Sequence, residues 1–168
     1  MIVKIHDNDL SDSLPVGKNF TGVSINGGVG VSSNNIITGE ITYNRINTLN
    51  NSQDYKTGLS VIGGYGFSTK DYIAKNNTAD MLANNNEFRN LKDGVKVFGG
   101  YSKNNSSTDN KVFSELHSNL VENSRTNGIN IIGGDLDQGS SSTVVGNEVQ
   151  AKVTNNVTDG IVCKDNIP

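Results

Sequence analysis

The sequence predicts an all-β solenoid in which short parallel strands stack as about five coils, and three observations carry that prediction. One pattern recurs along the chain with leading glycines at 22, 58, 94, 128 and 160, so successive copies are 36, 36, 34 and 32 residues apart. Within each copy the apolar residues alternate with a period of two, the signature of a strand with one buried face. The 168 residues include 26 Asn and 19 Gly, a composition that disfavours helix interiors. The length suits one ordinary domain, so residues 1–168 are read as a single solenoid unit.

Each copy opens with a strand. The segments Gly22–Gly28, Gly58–Gly64, Gly94–Gly100 and Gly128–Gly134 share an order, and Gly160-Ile161-Val162-Cys163 begins a fifth. The first and third residues after the leading Gly are inward candidates: Val23 and Ile25, Leu59 and Val61, Val95 and Val97, Ile129 and Ile131, Ile161 and Cys163. A double Gly follows and is expected to end the strand, because Gly turns the chain at positive φ without steric cost. Next comes a second alternating stretch: Ile37, Ile41 and Tyr43 in the first copy, Val112, Leu116 and Leu120 in the third, and Val145, Val149, Ala151 and Val153 in the fourth. Ile73 and Met81 fit the second copy loosely. Asn bends close the copies at Asn50-Asn51, Asn84-Asn85-Asn86, Asn123 and Asn155-Asn156, where amide ladders are expected.

A unit of this kind has two or three strands and cannot bury its apolar face alone, so copies must stack. A propeller blade would need four antiparallel strands with hairpin turns, and a helical repeat would need a 3.6-residue period. Parallel stacking also places Cys163 in the column of Ile25, Val61, Val97 and Ile131, where a buried, inert thiol is expected.

The run of Asp, Asn or Thr, then Gly, alternating aliphatics, Gly-Gly and a later Asn-Asn resembles the right-handed parallel β-helix repeats of the pectin-lyase-like superfamily, over nearly the whole chain. That resemblance implies a polysaccharide-binding or polysaccharide-degrading protein at an extracellular or virion surface, such as a phage tail spike or a secreted lyase or hydrolase. Tyr65-Gly66-Phe67 is similar to the start of the mannuronan C5-epimerase motif, where Asp-Pro-His would follow, but Ser68, Thr69 and Lys70 stand there. The signatures of polygalacturonases and the calcium-binding carboxylates of pectate lyases are absent from the sequence.

Function on such a scaffold belongs to outward positions. The residues after the double Gly form a row of Val29, Tyr65, Tyr101 and Asp135, with Asp137 two further on. Two phenol faces one coil apart suit sugar rings, and Asp135 and Asp137 are the candidates for acid/base work on a bound glycan. The bland alternative is an aromatic stack bracing the turns beside two solvated carboxylates. Lys96, flanked by Ser60 and Asn130, is the candidate to meet a uronic carboxylate. A second outward row, Asn26, Ile62, Phe98 and Ile132, calls for a covering loop or a partner chain. A non-catalytic spacer or oligomeric spike segment is therefore the competing reading, and an epimerase relative with altered chemistry is a third.

A net charge of −3 gives no basic footprint for nucleic acid, and no run nears the ~20 apolar residues of a membrane helix. Cys163 stands alone, and His6 and His117 have no partner in view, so neither a metal nor another cofactor is expected. Val3, Ile5 and Asp7-Asn8 read as the late part of a coil, and Pro168 falls within the fifth copy. A segment of a longer β-helix, or ends closed by partner chains, is expected.

Overall fold

In the computed structural model, residues 1–10, 20–48, 56–67, 73–103, 106–136 and 143–164 are described. They form a parallel β-solenoid of about four turns, with no helix among them. Each turn contributes to four sheets, where the sequence suggested two or three strands. The long strands Phe20–Val29, Lys56–Phe67, Asp93–Lys103, Asn127–Leu136 and Ile161–Lys164 make one five-stranded sheet. Facing it is a second five-stranded sheet of Ile2–His6, Ile36–Thr42, Thr78–Asn84, Lys111–His117 and Glu148–Thr154. Two four-stranded sheets of two- and three-residue strands close the sides, for example through Ser106–Thr108 and Glu87–Arg89.

Register puts like residues in columns. Ile25 pairs with Val61, Val61 with Val97, Val97 with Ile131 and Ile131 with Cys163. These columns face those of the opposite sheet, including Ile37, Ala79 and Val112, and Ile41, Ala83 and Leu116. Together with Ile46, Phe88 and Val121 they enclose one apolar core. Met81 belongs to this core, whereas Tyr43 and Ile73 are exposed. Cys163 is in its predicted column yet exposed, since it lies in the last strand of the long sheet and only one flank is covered by a strand.

The strands run straight through the double glycines, contrary to the expected break. Among the described glycines only Gly30 and Gly146 have positive φ. The reason for glycine is space. A Cβ on Gly100 would collide with the side-chain amide of Asn147, and one on Gly99 with the carbonyl of Gly133 and the backbone of Glu148.

Asparagine does make ladders, and two long ones run through the described residues. Asn8, Asn44, Asn86, Asn119 and Asn156 line one corner, and Asn35, Asn77, Asn110 and Asn147 the other. A shorter series, Asn47, Asn90 and Asn123, is linked along a third corner. Asn110 Oδ1 accepts from the backbone N and Nδ2 of Asn77, both at 3.0 Å. Its Nδ2 donates to Asn147 Oδ1 and to the Ala74 carbonyl, each at 2.9 Å. The residue before each Asn of the two long ladders takes the left-handed conformation: Asp7, Tyr43, Asn85, Ser118 and Asn155 in one ladder, Asn34, Asn76, Asp109 and Gly146 in the other. Asn and Asp tolerate that region through local hydrogen bonding. Asn123 is also left-handed, at a third corner, and Asn50-Asn51 lies outside the described residues.

Candidate functional site

Alternation along the long strands sends Leu59 and Val61 inward and Ser60 and Ile62 outward, with the same phase in the coils that follow. The outer face therefore carries three rows across the sheet. Ser24, Ser60, Lys96 and Asn130 form one; Asn26, Ile62, Phe98 and Ile132 the next; Val29, Tyr65, Tyr101 and Asp135 the third. All three follow the register expected from the sequence.

The middle row is not an open apolar surface. Ile62, Phe98 and Ile132 are 8%, 5% and 4% exposed in the single chain and form a second cluster outside the main core, with Tyr65 and Tyr101 packed against it. The two tyrosine rings meet edge to face, with centroids 5.2 Å apart and planes at 62°, and do not form a flat two-ring platform. Tyr101 instead stacks on Phe98 at 5.9 Å and 23°. Edge-to-face and offset arrangements are those the ring quadrupole favours.

Beside this aromatic wall, Lys96 Nζ lies 2.8 Å from Asp93 Oδ2. The Asp93 side chain is 2% exposed and that of Lys96 27%. The ammonium thus supplies the counter-charge of a carboxylate that is almost wholly buried. In the sequence, residue 93 stands only as the Asp that precedes the leading Gly94, and no role for it beside Lys96 was expected. Strict alternation would set residues 93 and 96 on opposite faces. However, strand pairing skips Gly94, where a Cβ would run into the core residue Val121, and Val95 also faces inward, so the alternation slips by one there. An Asp three residues before a Lys, across a Gly, was the available signal.

Tyr65, Lys96, Tyr101 and Asp135 line one cleft of about 410 Å³ together with Asp93 and Phe98. Its size is within the range of small-molecule sites, about 300–1,000 Å³. Asp135 is half-buried, and Asp137 lies outside the described residues. A larger concavity of about 660 Å³ is lined by Ile131, Val149, Val153, Ile161 and Cys163 together with Asn147, Glu148 and Lys164.

No family model, curated protein or solved structure matches this chain. The resemblance to pectin-lyase-like repeats thus rests on the repeat residues themselves. Among the described residues no three or more His, Cys, Asp or Glu side chains are gathered as a metal site. His6 approaches Asp7 at 3.0 Å and His117 approaches Thr154 Oγ1 at 2.8 Å, and neither histidine lines the cleft. The cleft can therefore offer aromatic edges, the ammonium groups of Lys92 and Lys96 with the latter tethered to Asp93, carboxylates, and the hydroxyls and amides of Ser24, Thr57 and Asn130.

Proposed function

We propose that this chain is a carbohydrate-directed β-solenoid module, of the kind the pectin-lyase-like repeats represent, and that it binds a glycan along the outer face of its long sheet. The observation that carries this reading is the Tyr65, Tyr101 and Phe98 wall standing over a cleft whose remaining lining is dominated by polar side chains. A saccharide has apolar C–H faces and a polar hydroxyl edge, and binding sites combine apolar walls with a few placed polar groups. Asp135, at the end of the tyrosine row, is the candidate for acid/base work on a held chain.

Titrating the protein with a panel of oligosaccharides, followed by calorimetry and by amide chemical shifts, tests the proposal. Saturable binding is expected, and Tyr65→Ala and Tyr101→Ala should each weaken it about tenfold, the size of effect typical of aromatic anchors. Polysaccharide cleavage, sought in the same panel with Asp135→Asn and Asp137→Asn as controls, separates a processing module from a binding one. No binding to any glycan removes the reading and leaves the non-catalytic spacer.

A further inference from the structure

Resting on the carbohydrate reading, we infer that the cleft takes a neutral, hydroxyl-rich saccharide and discriminates against uronates and other anionic glycans. This reverses the role the sequence suggested for Lys96. Its ammonium is committed to Asp93, a carboxylate with almost no access to water. An incoming carboxylate would have to share that one ammonium with Asp93, setting two anions on one cation, or draw it away and leave Asp93 buried without its counter-charge, which is among the costlier changes available to a folded protein. The other cation among the described lining residues is Lys92. Lys92 is not without a partner, and the charged lining residues are two lysines, Lys92 and Lys96, set against two aspartates, Asp93 and Asp135. The cleft therefore has no net positive charge to attract an anion.

The hydrogen-bonding inventory points the same way. Two oxygens of lining residues are buried and accept no hydrogen bond within the chain: Asn26 Oδ1 and Asn130 Oδ1. Both are acceptors, so the complement they lack is a donor. Sugar hydroxyls supply donors, whereas a carboxylate, sulfate or phosphate brings only further acceptors. Because Asn130 adjoins Lys96 in register and Asn26 adjoins Ile62, the unmet acceptors extend across neighbouring coils rather than clustering at one point. Reaching them takes a side-chain rotation of Asn26 or Asn130 and leaves the Lys96–Asp93 pair in place.

The test compares matched probes. Hexamers of galacturonate and of mannuronate are titrated by calorimetry beside their carboxyl-reduced counterparts, which keep the linkage and replace each carboxylate by a hydroxymethyl group. Gluco-, manno- and xylo-oligosaccharides complete the neutral set. The expected result is binding of at least one neutral oligomer, tenfold or more tighter than any uronate, and little changed between 50 and 500 mM NaCl. Asn130→Leu, checked for folding by circular dichroism, should weaken that neutral binding about 3- to 10-fold, the range for one lost hydrogen bond. Uronates binding as tightly as their reduced forms would overturn this inference while leaving the carbohydrate reading standing. Unchanged affinity in folded Asn130→Leu would overturn it too, and no saccharide binding at all would remove the carbohydrate reading with it.

Discussion

Asparagine is the residue that sets the corners of this molecule, and it does so by two different properties. In a pair such as Asn85-Asn86 the first residue supplies the left-handed backbone and the second joins the ladder. Asn110, fully enclosed, has both acceptor positions and both amide hydrogens engaged. Replacing it by Ala leaves the buried backbone N of Asn77 and the Ala74 carbonyl without these partners. At roughly 1–3 kcal/mol per unsatisfied buried group, Asn110→Ala should cost about 3–5 kcal/mol in urea denaturation. A loss below about 1 kcal/mol would mean that the ladder is incidental to stability. The two roles also explain which ladder members could be read from sequence. Asn86 and Asn156 are preceded by Asn and show as visible pairs; Asn44 and Asn119 follow Tyr43 and Ser118, which hide the motif because left-handed backbone is unusual for those residue types.

At the level of strands, the period of two and the recurring segment from the leading Gly to the double Gly were sufficient to assign the columns, because in a parallel stack equivalent positions of that segment pair even though the repeat shortens from 36 to 32 residues. That is why Tyr65, Tyr101, Lys96 and Asp135 could be brought to one face before any coordinates. What the pattern could not convey was the purpose of a glycine. Gly99 and Gly100 look like turn residues, yet they are strand residues that allow the long sheet to approach the opposite strand and the Asn147 amide. The same ambiguity concealed Asp93, whose outward placement depends on the slip at Gly94. Two substitutions separate space from conformation. Gly99→Ala should destabilise by about 1–3 kcal/mol or more, since its Cβ meets backbone that cannot yield. Gly160→Ala, with nothing within 4 Å of the added carbon and no positive φ, should be neutral or stabilise by up to about 1 kcal/mol. Equal effects of the two changes in thermal melts would defeat the steric explanation.

Across the whole molecule each coil contacts its sequence-adjacent neighbours, so stability is a sum of coil terms and nearest-neighbour interfaces. The middle of the stack has both interfaces. Leu59, Val61, Val95, Val97, Val112 and Leu116 are essentially inaccessible to solvent there. Their counterparts in the last described turn are not, since Ile161 and Cys163 are exposed and Val149 and Val153 half-buried. The cleft spans coils from both settings, with Phe98 in the enclosed middle and Asn130 one coil nearer the open flank. Local opening should therefore follow position in the stack. Native-state hydrogen exchange of this chain is expected to show the slowest amides at 59–61 and 95–97 and the fastest long-sheet amides at 161–163, with 129–131 between them. Leu116→Ala should then speed exchange in its own and adjoining coils and leave the first strand, Ile2–His6, nearly unchanged. Uniform protection along all coils, or a uniform response to that substitution, would require the stack to open as one cooperative block, and nearest-neighbour coupling would no longer describe it.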